Sequence, residues 1–187
     1  MKKIILTAIL ATTLIGCKKE AEKTEENISV TDSIDIQKTP EEIEAPKIAL
    51  KEVDQKGLTE ILSKKNDTLY VTNFFATWCG PCMMEMPHFK KKIEELKGKP
   101  VKFTFINIYN KPAWDTEVPA FAKQSGLSDK ILLLDDSKLN HDFFENFKQW
   151  DGNNIPFTFF RKGDKAEESI GSMTEEMLNS QIDSFLK

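Results

Sequence analysis

The chain has 187 residues, 40% of them hydrophobic and 30% charged, with a formal net charge of −4. That length suits one globular domain with an extension. Its basic residues are scattered among acids rather than gathered on one stretch, which argues against a nucleic-acid partner.

In chain order, the first residues, MKKIILTAILATTLIGC, have the layout of an export signal. Lys2 and Lys3 form the positive end. Ile4 to Ile15 form an apolar run of roughly a dozen residues, within the signal range and short of the ~20 that a membrane span needs. "LIGC" at 14–17 resembles the lipobox of bacterial lipoproteins, whose cysteine takes lipid and becomes the mature N-terminus. Residues 1–16 are therefore expected to be a lipoprotein signal peptide and Cys17 the lipidation site. The mature protein is then anchored by membrane lipid and faces the periplasm of a bacterium, each buried acyl methylene contributing about 0.8 kcal/mol. Residues 17–46 are expected to be an acidic flexible tether: positions 18–46 hold nine acids, four lysines and no aromatic residue. Such a segment buries too little apolar surface to offset its ordering entropy.

The folded part is expected over residues 47–187. "KIALKEV" starts a strand, and "QKGLTEILSKK" predicts a short helix with Leu58, Ile61 and Leu62 on one face. "TLYVTNFFA" is nearly continuous β-prone sequence, the pattern of a central strand buried on both faces. "CMMEMPHFKKKIEELKG" predicts a helix with Met83, Met86, Phe89, Ile93 and Leu96 at spacings of three and four, closed by Gly98. "VKFTFINIY" reads as a strand, "TEVPAFAKQSG" as a helix, "KILLLDD" as a strand and "SKLNHDFFENFKQW" as a helix. "IPFTFFR" and "EESIGS" read as a strand pair around the turn "KGDK", followed by a terminal helix, "TEEMLNSQIDSFLK". The order predicts an α/β fold, a central mixed sheet flanked by helices on both faces.

WCGPC at 78–82 carries the chemistry. The pattern puts Cys79 just before a helix, Pro81 in the first turn where a missing N–H is harmless, and Cys82 within that turn. A Cys79 thiolate there faces free N–H groups and the positive end of the helix dipole, so its pKa falls below the usual ~8.5. Cys79 is then the attacking group in thiol–disulfide exchange and Cys82 the shielded thiol that resolves the mixed disulfide, with Trp78 covering one side. If Cys17 carries lipid, these two are the remaining thiols, in a compartment where disulfides persist. A purely structural bridge closing so short a loop restricts little of the unfolded chain. Zinc calls for four ligands, whereas His88 and His141 are far apart in sequence. Soft thiolates suit Cu(I), so a non-catalytic copper-carrying chaperone stays open. No cofactor is implied.

"FFATWCGPC" on a strand-to-helix turn closely resembles thioredoxin-fold proteins, and "WCGPCMMEMP" resembles the ResA/TlpA branch of extracytoplasmic thiol–disulfide oxidoreductases. The likeness extends over most of residues 50–187. It implies a thioredoxin-like fold with an N-terminal extension and a strand–helix insertion. Pro87 then kinks the active-site helix, and Glu85 is the acid this branch places near the thiols, although an exposed helix glutamate is an equal alternative. Ile155-Pro156 matches the cis-proline loop that, with Trp78, Gly80 and Pro81, meets a bound substrate chain. Asn73 stands where cytoplasmic thioredoxins carry a buried aspartate; an amide cannot take a proton from Cys82, which moves that role towards Glu85 and water. Phe157 departs from the threonine usual after the cis-proline and is expected to line or narrow the substrate groove. Trp114, Glu117 and Pro119 lie in the insertion, as substrate contacts or packing residues.

Gly-Pro is the dipeptide of reducing thioredoxins, at about −270 mV, which is about 7 kcal/mol more reducing than the strong oxidants at about −120 mV. The expected activity is reduction of a disulfide-containing protein, with re-reduction by a membrane electron-donor protein. The resemblance implies apocytochrome c as substrate. An oxidase or isomerase of the same fold is the alternative.

Overall fold

The structure, a computed structural model, describes residues 48–187. The signal peptide, the lipidated Cys17 and the tether expected over residues 1–46 lie outside the described residues.

Six strands and five helices follow the expected order: β1 (Lys51–Glu52), α1 (Gln55–Leu62), β2 (Leu69–Phe75), α2 (Gly80–Glu95), β3 (Val101–Asn107), α3 (Glu117–Ser125), β4 (Ile131–Leu133), α4 (His141–Phe144), β5 (Phe157–Lys162), β6 (Lys165–Ile170) and α5 (Glu175–Leu186). They form one mixed sheet in the order β1-β4-β3-β2-β5-β6. The first four neighbours run parallel, and β5 and β6 are antiparallel. Every residue of β2 is buried, as its run of apolar and β-prone side chains demands. Successive residues point to opposite faces, so Phe75 and Phe105 join one apolar cluster while Phe74 and Ile106 join the other. Met86 and Phe89 of α2, Val118 and Ala122 of α3, and Leu178 and Ile182 of α5 fill the first cluster. Leu58 and Leu62 of α1 and Phe143 of α4 fill the second.

The helix expected over Ser137–Trp150 is broken. A single 3-10 turn, Asp136–Lys138, precedes α4, which is capped by Asn140 and is only four residues long. Phe143, Phe147 and Trp150 have helical spacing because all three reach the core, yet the chain uncoils to seat them. Trp150 stacks on Phe157 with ring centroids 4.4 Å apart and planes 9° apart. Glu168 of β6 replaces the helical acceptors: its carboxylate receives the N–H groups of Lys148, Gln149 and Trp150 at 2.6, 2.9 and 3.2 Å. Gly98 has the positive φ expected of it, 81°, but two residues beyond Leu96, which caps α2.

Candidate active site

Parallel pairing fixes where the chemistry lies. β2 and β3 end level with each other, Phe75 opposite Asn107, and the chain leaves β2 into the turn that starts α2. Cys79 caps that helix, and its Sγ accepts the N–H of Cys82 at 3.2 Å. Pro81 sits in the first turn, where no intrahelical donor is lost. Cys79 and Cys82 are bridged, with S–S 2.00 Å and Cα–Cα 5.2 Å. Cys79 is 4% exposed and Cys82 fully buried. The space over Gly80 is open, with no heavy atom within 4 Å of where a Cβ would stand. Trp78 is the exposed wall of the site, 62% accessible, and donates its indole N–H to the Tyr109 carbonyl at 3.0 Å.

Ile155-Pro156 is cis and directly precedes β5, whose Phe157 pairs with Phe74 of β2. The loop therefore stands at the same end of the sheet as the cysteine turn. Ile155 packs on the cluster that contains both cysteines, and the Pro156 carbonyl accepts the N–H of Gly171 at 2.9 Å. The fold thus brings Trp78, Cys79, Gly80, Pro81, Cys82, Ile155 and Pro156 to one place.

Glu85 is buried, not a solvated helix residue. It lies three residues after Cys82 on α2, on the neighbouring turn of the same face. Its Oε1 accepts from Asn73 Nδ2 at 2.8 Å and its Oε2 from the Met173 N–H at 2.8 Å. Asn73 also donates to Thr158 Oγ1 at 3.0 Å, and its own Oδ1 has no partner. Burial pushes the Glu85 carboxyl up to about 7, against the lowering effect of the Met173 and Asn73 hydrogen bonds. Pro87 stands inside α2, two residues further on.

One expectation changes. Phe157 does not line a groove: it is fully buried and stacked on Trp150. Strand alternation turns the next residue, Thr158, towards Asn73, and so turns Phe157 to the opposite face. In the insertion, Trp114 donates to Asn107 Oδ1 at 3.1 Å and packs on the core, while Glu117 accepts from Thr77 Oγ1 at 3.1 Å. Both brace the site's end of the sheet. Tyr109 and Met173 escaped the sequence reading, since neither belongs to a local pattern and each acts through a contact distant in sequence.

A bridge capping a helix, with one sulfur accepting a first-turn N–H, opens when a thiolate attacks it and closes again when the dithiol reduces another disulfide. Together with the thioredoxin-like sheet it defines a thiol–disulfide oxidoreductase. The chain belongs to the Redoxin family, whose profile matches residues 40–159. It is 28% identical over 144 residues to the thioredoxin-like protein YneN of Bacillus subtilis, spanning 75% of this chain and 77% of that one. To the thiol-disulfide oxidoreductase ResA of the same organism it is 24% identical over 141 residues, spanning 74% and 72%. Among solved structures, a thiol:disulfide interchange protein of the thioredoxin family from Chlorobium tepidum has the same fold, with TM-score 0.55 at 18% identity, covering 76% of this chain and 96% of that one.

Proposed function

We propose that the protein is a disulfide reductase, held at a membrane outside the cytoplasm by lipid on Cys17. The observation that carries the direction is the burial of Glu85 one helical turn from the wholly buried Cys82. A low-dielectric surrounding and a nearby carboxylate both oppose a Cys82 thiolate. The reduced pair is then not stabilised as it is in strong oxidants, and its electrons pass readily to a partner disulfide. Gly80-Pro81 between the cysteines supports the same direction.

In the forward step the Cys79 thiolate attacks one sulfur of the partner's disulfide, and the other sulfur leaves as a thiolate and takes up a proton. Cys82 gives its proton to Glu85 and attacks the Cys79 sulfur, which frees the second partner sulfur as a thiolate that takes up a proton from water. Two electrons move from the Cys79–Cys82 dithiol to the partner, and the bridge seen here is the product. Re-reduction by a membrane protein that carries electrons outward completes the cycle.

The reduction potential, measured in graded thiol–disulfide buffers, is expected below about −230 mV; a value above about −180 mV assigns the protein to the oxidases and isomerases instead. The proposed substrate is an exported protein with a disulfide between closely spaced cysteines, apocytochrome c foremost. Cys82→Ala removes the resolving thiol and is expected to accumulate mixed disulfides through Cys79. Mass spectrometry of the trapped partners names the substrate, and their lacking apocytochrome c removes that candidate.

A further inference from the structure

We propose that Tyr109 is a positioning residue that ties the wall beside Cys79 to the loop leading into Ile155-Pro156, and so sets affinity for polypeptide disulfides. The inference rests on thiol–disulfide exchange at Cys79, in either direction.

Tyr109 lies two residues past β3. Ile108 donates its N–H to the Phe75 carbonyl at 3.0 Å, which registers this segment with the start of the cysteine turn. Among the described residues, Tyr109 is the one non-glycine residue with positive φ, 57°. A left-handed backbone is unfavourable for an L-residue because its Cβ crowds the following carbonyl oxygen, and in a bulky aromatic it calls for a compensating role. Here it sends the two polar groups of one residue to opposite walls of the site. The carbonyl accepts from the Trp78 indole at 3.0 Å, and the hydroxyl donates to the Gly152 carbonyl at 2.5 Å.

Gly152 fits this contact from the other side. Its φ is +89°, and a Cβ there would stand 2.4 Å from the Phe144 ring and 3.1 Å from the Tyr109 hydroxyl. The same segment is held to the next residues by Trp150, whose indole donates to the Asn154 carbonyl at 2.7 Å, one residue before Ile155. A continuous path therefore runs from Trp78 through Tyr109 and Gly152 to the loop before Pro156. Tyr109 also lines an open groove of about 390 Å³ with Trp78, Asn110, Pro112 and Thr116. Burial pushes the Tyr109 hydroxyl up to about 12, so it stays a donor over the whole working pH range.

A polypeptide whose sulfur reaches Cys79 must cross Trp78 and the Ile155-Pro156 loop at once, and loses affinity when these walls move apart. A small disulfide touches neither wall to the same extent. The hydrogen bonds of the path end on Trp78, Gly152 and Asn154 and none ends on a sulfur, so the redox balance of the pair is not involved.

The test compares wild type and Tyr109→Phe, which removes only the hydroxyl, on a peptide with an intrachain disulfide and on hydroxyethyl disulfide. Loss of one such hydrogen bond is expected to raise KM for the peptide about five-fold, with kcat, the reduction potential and turnover of hydroxyethyl disulfide unchanged. Gly152→Ala, displacing the same contact, is expected to raise the peptide KM in the same direction. An unchanged peptide KM in Tyr109→Phe overturns the proposal, as does an equal loss on both disulfides or a shifted potential. A wild type inert towards both disulfides instead refutes the exchange reading on which the proposal stands.

Discussion

At the scale of the residue, Glu85 shows how burial can outweigh good hydrogen bonding. Both carboxylate oxygens accept N–H groups at 2.8 Å, yet the carboxyl is pushed up to about 7 from 4.5. Beside it, Asn73 Oδ1 is buried with no hydrogen-bond partner. A half-turn of the amide presents Oδ1 to a protonated Glu85, and the Thr158 hydroxyl, donor or acceptor, adapts. Because the folded state holds the proton more tightly, it binds more protons than the unfolded chain between pH 4.5 and about 7. Stability contributed by Glu85 is thus full below that window and lost as pH rises through it, by up to about 3 kcal/mol. Urea unfolding between pH 5 and 8 is expected to show this loss in wild type and to show it much reduced in Glu85→Gln. Parallel pH profiles for the two proteins would assign the titration elsewhere. The same substitution should remove the limb near pH 7 from the exchange rate, since glutamine cannot take the Cys82 proton.

At the scale of the element, Glu168 replaces part of a helix. The three N–H groups it receives belong to consecutive residues that a continued α4 would have bonded internally. A charged acceptor is worth about 1.5–3 kcal/mol, less where half-exposed, so Glu168→Ala is expected to lower stability by about 1–2 kcal/mol. Amide exchange at Lys148, Gln149 and Trp150 should rise with it, and unchanged protection there would show that aromatic packing alone holds the segment. Residues 137–150 read as a helix in the sequence, but the carboxylate that competes with the helix comes from 18 to 20 residues further on. For α2 the signals were all local, and the observed cap, first-turn proline and interior proline agree with them.

At the scale of the whole molecule, the sheet serves to place two segments distant in sequence at one end. β2 delivers the cysteine turn and β5 begins just after Pro156, and their antiparallel pairing brings both ends together. Residues 47–187 alone are therefore expected to fold, bridge and exchange with the full chain's reduction potential, while the full chain fractionates with membranes and Cys17→Ser does not. A truncated protein with an altered potential would show that the first 46 residues take part in the chemistry, and a membrane-bound Cys17→Ser would remove the lipid anchor.

The sequence by itself determined the redox turn, the α/β order and the central strand. Each depends on neighbours within a turn or two: cysteine spacing, a proline in the first helical turn, the period of apolar residues. Only the tertiary structure decided that Glu85 is buried, that Phe157 turns inward and that Tyr109 bonds both Trp78 and Gly152. Those outcomes depend on pairings far apart in the chain, such as Met173 with Glu85 across 88 positions and Asn73 with Thr158 across 85. No local pattern encodes them, because burial and strand register exist only once the sheet has formed.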